Sequence, residues 1–219
     1  VWVQVDLLAS NTAMVAMWGH TNWSVAPACT TNGAVWNSNY EAVWHLNETV
    51  TNGGSQAGVH RDFTAHDRHG NQEGNGTVDA PIAQGQHLDG TNNYIGIPAS
   101  IVSTGNLTIA TWLQIDGSDG WDAVLNHDGY IAGDVHYQFP PADLSVDYHV
   151  SAAWHADLSA YTFSTGQWAH VVTVYDRSAG STNGTLALYV DGDLKQTVTN
   201  LSTTLNPSPT PGRIGSWDG

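Results

Sequence analysis

The run Leu186-Ala187-Leu188-Tyr189-Val190-Asp191-Gly192-Asp193-Leu194 constrains the fold of this chain more than any other. Two β-rich runs meet at Asp-Gly, and those two residues accept the positive φ angles of a two-residue type I′ turn. Just upstream, Gln167-Trp168-Ala169-His170-Val171-Val172-Thr173-Val174-Tyr175-Asp176 alternates large apolar with small or polar residues, the period of a half-buried strand. An alternating strand followed by a hairpin is the unit of an antiparallel sheet. It leaves little room for a helical reading.

Composition points the same way. Strong helix formers are scarce, with three Glu (Glu41, Glu48, Glu73), one Lys (Lys195) and two Met, against 23 Gly and 10 Trp. Abundant Thr, Val, Asn and Gly suit strands separated by turns, so the expected class is all-β. At 219 residues the chain is long enough to bury a substantial core. Five basic residues against twenty acidic ones give a net charge of −15. That balance argues against nucleic acid, whose binding needs Lys and Arg to replace condensed counterions. It argues equally against anionic lipid surfaces, and no apolar run reaches the roughly 18 residues of a membrane span. An acidic, Lys-poor surface suits an extracellular or cell-surface protein. Cys29 stands alone, so no intrachain disulfide forms, and a packed thiol is its simplest role.

Six Asn-x-Ser/Thr motifs mark glycosylation candidates: Asn22, Asn47, Asn75, Asn106, Asn183 and Asn200. In a chain rich in Asn and Thr, several such motifs arise by chance.

Along the chain, residues 1–8 and 13–18 read as strands. Residues 49–77 are rich in Gly, Asn, His and Asp with little apolar periodicity, and read mostly as loop. Further motifs then appear in order. They are Val43-Trp44-His45-Leu46-Asn47-Glu48, Leu88-Asp89-Gly90-Thr91-Asn92-Asn93-Tyr94-Ile95-Gly96-Ile97-Pro98, and Leu107-Thr108-Ile109-Ala110-Thr111-Trp112-Leu113-Gln114-Ile115. In the last of these, Ile109, Thr111, Leu113 and Ile115 share one face and Ala110, Trp112 and Gln114 the other. Together with the Trp168 strand and the Asp191-Gly192 hairpin, this series resembles the laminin-G-like domains of the concanavalin A-like lectin/glucanase superfamily. The segment before it resembles the end of a short β-rich domain of unknown function found in prokaryotic surface proteins.

The resemblance implies an antiparallel jelly-roll β-sandwich over residues 39–219, preceded by an N-terminal β segment, residues 1–38, that is a partial domain or a linker to one. Relatives continue past a segment like Arg213-Ile214-Gly215-Ser216 into a last strand with an Asp-Glu pair. The sandwich is therefore expected to lack that strand and to leave an edge open to pairing between chains. Trp44, Trp112 and Trp168, which sit in strand patterns, are expected in the core.

Chemistry is less fully written. Retaining glucanases of the superfamily use a Glu-x-Asp-x-Glu strand, because two closely spaced carboxylates must act as nucleophile and acid. Three isolated Glu do not supply it, and no Gly-x-Ser-x-Gly elbow occurs. No catalytic residues are therefore expected. His60, His66 and His69 are close in sequence but lack a zinc-binding frame and read as solvated loop histidines. The loop 62–71 offers Asp62, Asp67 and Asn71 as oxygen ligands, which suits a structural Ca²⁺, and relatives often carry one among their rim loops. For a sugar, an aromatic platform with convergent polar groups is needed. The richest candidates are Trp121, Asp122, His127, Asp128, Tyr130, Asp134, His136 and Trp154. The expected function is a non-catalytic recognition or adhesion module that binds a glycan or an extracellular protein. The alternatives are a structural subunit of a surface layer or fibre, homopolymeric through open sheet edges, and an accessory domain of a secreted glycoside hydrolase.

Overall fold

The computed structural model describes residues 12–15, 25, 32–98, 101, 105–127, 135–151, 154–177, 184–201, 205 and 211–216, with backbone alone for 149–151 and 154–156. The expected strands at 1–8 and 13–18 fall largely outside the described residues, as do Cys29, Asn22 and Asn183. Fourteen strands and no helix are described. The first five are β1 (Ser55–His60), β2 (Gly70–Glu73), β3 (Gly76–Asp79), β4 (Gln84–His87) and β5 (Tyr94–Ile97). Next come β6 (Leu107–Gln114), β7 (Asp122–His127), β8 (Val135–Phe139), β9 (Val146–Ser151) and β10 (Trp154–Leu158). The last four are β11 (Trp168–Asp176), β12 (Gly184–Val190), β13 (Asp193–Leu201) and β14 (Gly212–Ile214).

They form an eight-stranded sheet in the order β1-β2-β5-β14-β7-β8-β9-β10, a four-stranded sheet β13-β12-β11-β6, and the separate hairpin β3-β4. All the ladders are antiparallel. The two large sheets bury one continuous core. Ile95, Ile97, Leu125, Tyr137, Tyr148 and Leu158 enter from the larger sheet, and Val171, Tyr175, Leu186, Leu188 and Val190 from the smaller. This is the all-β sandwich that the alternating strands require.

The hairpin turns as its sequence dictates. Asp191 and Gly192 have φ of 52° and 87°, and Val190 pairs with Asp193 across the turn. The Asp191 Oδ1 also accepts the His170 N–H at 2.9 Å, tying the turn to β11.

Three features add to or correct the sequence reading. First, residues 49–77 are mostly loop as expected, but β1, β2 and the start of β3 lie among them. Their pairing is supported by polar side chains rather than an apolar face. Gln72 Nε2 donates to the Thr51 and Asn75 carbonyls, and Gln86 Nε2 to those of Leu46 and Glu48. Second, Trp112 is 44% exposed and Trp168 half-buried, because both lie on the outer face of the four-stranded sheet. Trp44 is partly buried against the core and donates its indole N–H to the Arg68 carbonyl at 2.9 Å. Third, β14 lies inside the larger sheet. It sits between β5 and β7, with Arg213 opposite both Gly96 and Asn126.

Candidate functional site

Of the candidate ligand-binding residues, Asp128, Tyr130 and Asp134 lie outside the described residues. The others do not converge. Trp121 and Asp122 sit where β7 begins, with Asp122 opposite Phe139. His127 ends the same strand opposite Val135, five residues away, or roughly 16 Å at the usual strand rise. His127 is fully buried on the parity of Leu125 and takes part in the interior, not in a surface site. His136 pairs with Asn126, one residue out of step with His127, and so lies on the opposite face of the sheet. Trp154 opens β10, opposite Ser151.

Of the candidates whose side chains are described, Trp121 is the most accessible, at 48% exposure. Its loop, 116–121, is anchored. Ser118 Oγ donates to the Pro140 carbonyl at 2.6 Å, and the Ala142 N–H donates to the Ser118 carbonyl at 2.9 Å. The loop is thereby fixed to the turn between β8 and β9, so the indole stands on a braced rim. Asp116 and Asp119 are exposed on the same loop.

A second aromatic surface went unrecognised in the sequence. Trp112 pairs across β6 and β11 with His170, their rings 5.3 Å apart and tilted by 46°. Gln114 lies two residues along the same face, opposite Trp168, with its amide donating to Asp116 at 3.4 Å. The signal was present in the alternation itself, since Trp112 shares a face with Ala110 and Gln114 and not with Ile109 and Leu113.

The loop 62–71, expected to hold Ca²⁺, is organised by Asp62. Its Oδ1 accepts the Val43 and Thr64 N–H groups, and its Oδ2 accepts the Thr64 hydroxyl and the Arg68 N–H, all within 3.0 Å. Burial pushes this carboxyl up, but the hydrogen bonds outweigh it and hold the group below the usual aspartate range. Asn71 Oδ1 accepts the Gly58 N–H, while Asp67 is exposed at φ 52°. Asp62 thus acts as a brace within the loop, and no three His, Cys, Asp or Glu side chains among those described are grouped to hold a metal ion.

Among the three nearby histidines, His60 is not solvated. It is fully buried, with Nδ1 3.2 Å from Glu48 Oε2 and Nε2 3.1 Å from Asn75 Nδ2. His69 Nδ1 accepts the Asp62 N–H, and His66 is exposed. Asn75 is itself a motif-based glycosylation candidate, yet it is fully buried and its amide nitrogen also donates to Gln86 Oε1 at 2.8 Å. In this fold that nitrogen is not available to a glycan. Asn47, Asn106 and Asn200 are exposed.

A protein-family model, Laminin_G_3, described as the concanavalin A-like lectin/glucanases superfamily, matches residues 89–219. The chain belongs to that superfamily. No curated protein matches it. Among solved structures, the binding domain of Paraclostridial Mosquitocidal Protein 1 is similar at a TM-score of 0.59 and 12% identity. The match covers 80% of this chain and 44% of that one. Domain 4 of an extracellular GH43 arabinanase from Geobacillus stearothermophilus, solved with arabinotriose, is similar at a TM-score of 0.48 and 18% identity. That match covers 66% of this chain and 68% of the other. At 12% identity the likeness to the mosquitocidal protein's binding domain is one of fold alone. Among the described residues, no helix is long and apolar enough to cross a membrane.

Proposed function

We propose that this chain is a non-catalytic recognition module of an extracellular or cell-surface protein, and that it binds glycan at the Trp121 rim. The observation that carries the proposal is a half-exposed indole on a loop already braced by Ser118. A sugar ring offers an apolar C–H face that stacks on an indole, and hydroxyls that donate to nearby carboxylates. Because the loop is pre-set, little ordering entropy is lost on binding. Asp116, Asp119 and Asp122 supply acceptors beside Trp121. With a net charge of −15 the module favours neutral or cationic sugars over polyanionic ones.

Three carboxylates taken up by structural contacts support a non-catalytic reading. Glu48 is engaged by His60 and Arg61, Asp62 by its own loop, and Glu41 by Arg68 at 2.6 Å. The test is a glycan array with the wild type, Trp121→Ala and Trp112→Ala. Binding that falls about tenfold or more in Trp121→Ala, the loss of about 1.4 kcal/mol, and persists in Trp112→Ala supports the rim. A blank array, or binding that survives Trp121→Ala, rejects it.

A further inference from the structure

The outer face of the four-stranded sheet carries an apolar row that neither the core nor the Trp121 rim uses. Ala110 on β6 is opposite Val172 on β11, Val172 is opposite Tyr189 on β12, and Tyr189 is opposite Leu194 on β13. Directly opposed positions of antiparallel strands share a face, so the row crosses all four strands without a break. Val174 and Ala187 lie on one side of it and Trp112 on the other, all on the same face.

An antiparallel sheet with one face on the core commonly turns polar residues to solvent on the other. This one keeps apolar residues there, and it is open to solvent, with Trp112 44% and Leu194 55% exposed. Charge supplies the second observation. The chain carries 20 acidic residues and a net charge of −15. Yet no described position on this face between Asp176 at one end and Asp191 at the other bears a charge. An apolar centre with charged residues kept to the rim is the anatomy of a protein interface. A cationic partner would be drawn to carboxylates and gives no reason to clear them. Two copies of an acidic chain repel where carboxylates meet, and approach best through a face without them.

We infer that this face is the docking surface for a second copy of the chain, packed through a two-fold axis near Val172 and Tyr189. Four strands about 4.8 Å apart and five residues of about 3.3 Å each give a flat patch of roughly 300 Å². That is small for a permanent dimer, so the pairing is weak and reversible. It also differs from strand pairing at open edges. A two-fold contact between identical faces closes at two copies, whereas edge pairing propagates.

The test is sedimentation velocity on the full chain, with monomer expected at about 1 µM and dimer at about 1 mM, as a contact of this size allows. Raising NaCl from about 0.05 M to about 0.5 M should favour the dimer, because it screens repulsion between the two acidic chains. Ala110→Glu puts a charge into the row at an exposed position and should weaken the dimer about tenfold or more, since like charges would face each other across the contact. Gln56→Glu, exposed on β1 of the other sheet, adds the same charge and should leave the dimer unchanged. Thr108→Glu, also exposed on this face, replaces Ala110→Glu should that variant fail to fold. A chain that stays monomeric throughout, equal effects of the two Glu variants, or growth past the dimer overturns the inference. So does glycan-array binding that Ala110→Glu abolishes in a chain that is monomeric throughout, which would assign the face to sugar.

Discussion

Asn75 and His60 meet through a 3.1 Å contact between an amide nitrogen and Nε2, and that contact sets the tautomer of the imidazole. An amide nitrogen only donates, so Nε2 accepts and the ring proton sits on Nδ1, where it donates to Glu48 Oε2 at 3.2 Å. The amide orientation is supported independently, since Asn75 Nδ2 also donates to Gln86 Oε1 and Asn75 Oδ1 accepts the Glu73 N–H. A chain of donors and acceptors thus runs Gln86–Asn75–His60–Glu48 through the junction between β1, β2 and the β3-β4 hairpin.

Glu48 makes this junction sensitive to acid. Burial pushes its carboxyl up, but hydrogen bonds from His60 and the Arg61 N–H pull further, leaving it below the usual glutamate range. A carboxyl whose folded pKa is depressed stabilises the fold above its unfolded pKa, about 4.3. That contribution is lost as pH falls through the lower folded value. Urea midpoints measured between pH 6 and 3 should therefore drop in the wild type, and drop less steeply in Glu48→Gln. Equal slopes in the two proteins would show that Glu48 does not contribute.

Removing Asn75 leaves buried partners unsatisfied on both sides, at His60 Nε2 and Gln86 Oε1. Asn75→Ala should cost about 1–3 kcal/mol, the range for orphaning buried polar groups, read as a lower urea midpoint at unchanged slope. Expression in a glycosylating host provides a separate check. Intact mass and peptide mapping should show Asn75 unmodified, even though its motif equals that of exposed Asn47.

The same residues explain which parts of the chain its sequence reveals. Strands β6, β11 and β12 alternate cleanly because one face enters the core, and Asp191-Gly192 announces its turn through φ alone. Strands β1 to β3 escape that logic, since Gln72, Asn75 and Gln86 do the work that apolar alternation does elsewhere. Trp112 and Trp168 mislead for another reason. Residue type argues for the interior, but strand parity places them outside, and parity prevails because it is geometric. His127 and His136 show the converse limit. Both look like ligands in sequence, and only the register reveals that one enters the core and the other does not.

Tyr137 offers a test of interior chemistry. It is fully buried, its hydroxyl has no hydrogen-bond partner among the described residues, and burial with help from nearby Tyr148 drives its pKa far upward, so it stays neutral. A hydroxyl that lost its water and gained no partner is a net cost, so Tyr137→Phe should raise stability, by about 1 kcal/mol. A clear loss in thermal melting would mean that the hydroxyl is bonded in solution, through a buried water for example.

The two glycines Gly192 and Gly215 separate backbone strain from crowding. Both have positive φ, 87° and 85°, where an added Cβ is unfavourable. At Gly192, in the hairpin turn, a Cβ meets nothing within 4 Å. Gly192→Ala should therefore cost only the conformational penalty, about 1 kcal/mol. At Gly215, just after β14, a Cβ would run into the Leu88 side chain. Because β14 lies between β5 and β7, its end cannot shift without disturbing both neighbours. Gly215→Ala should accordingly cost about 2–4 kcal/mol, strain plus overpacking. The double variant Gly215→Ala/Leu88→Ala should recover part of the crowding cost but none of the strain. If the two single variants melt alike, Leu88 does not press on this turn, and the docking of β14 beside it is looser than the structure shows.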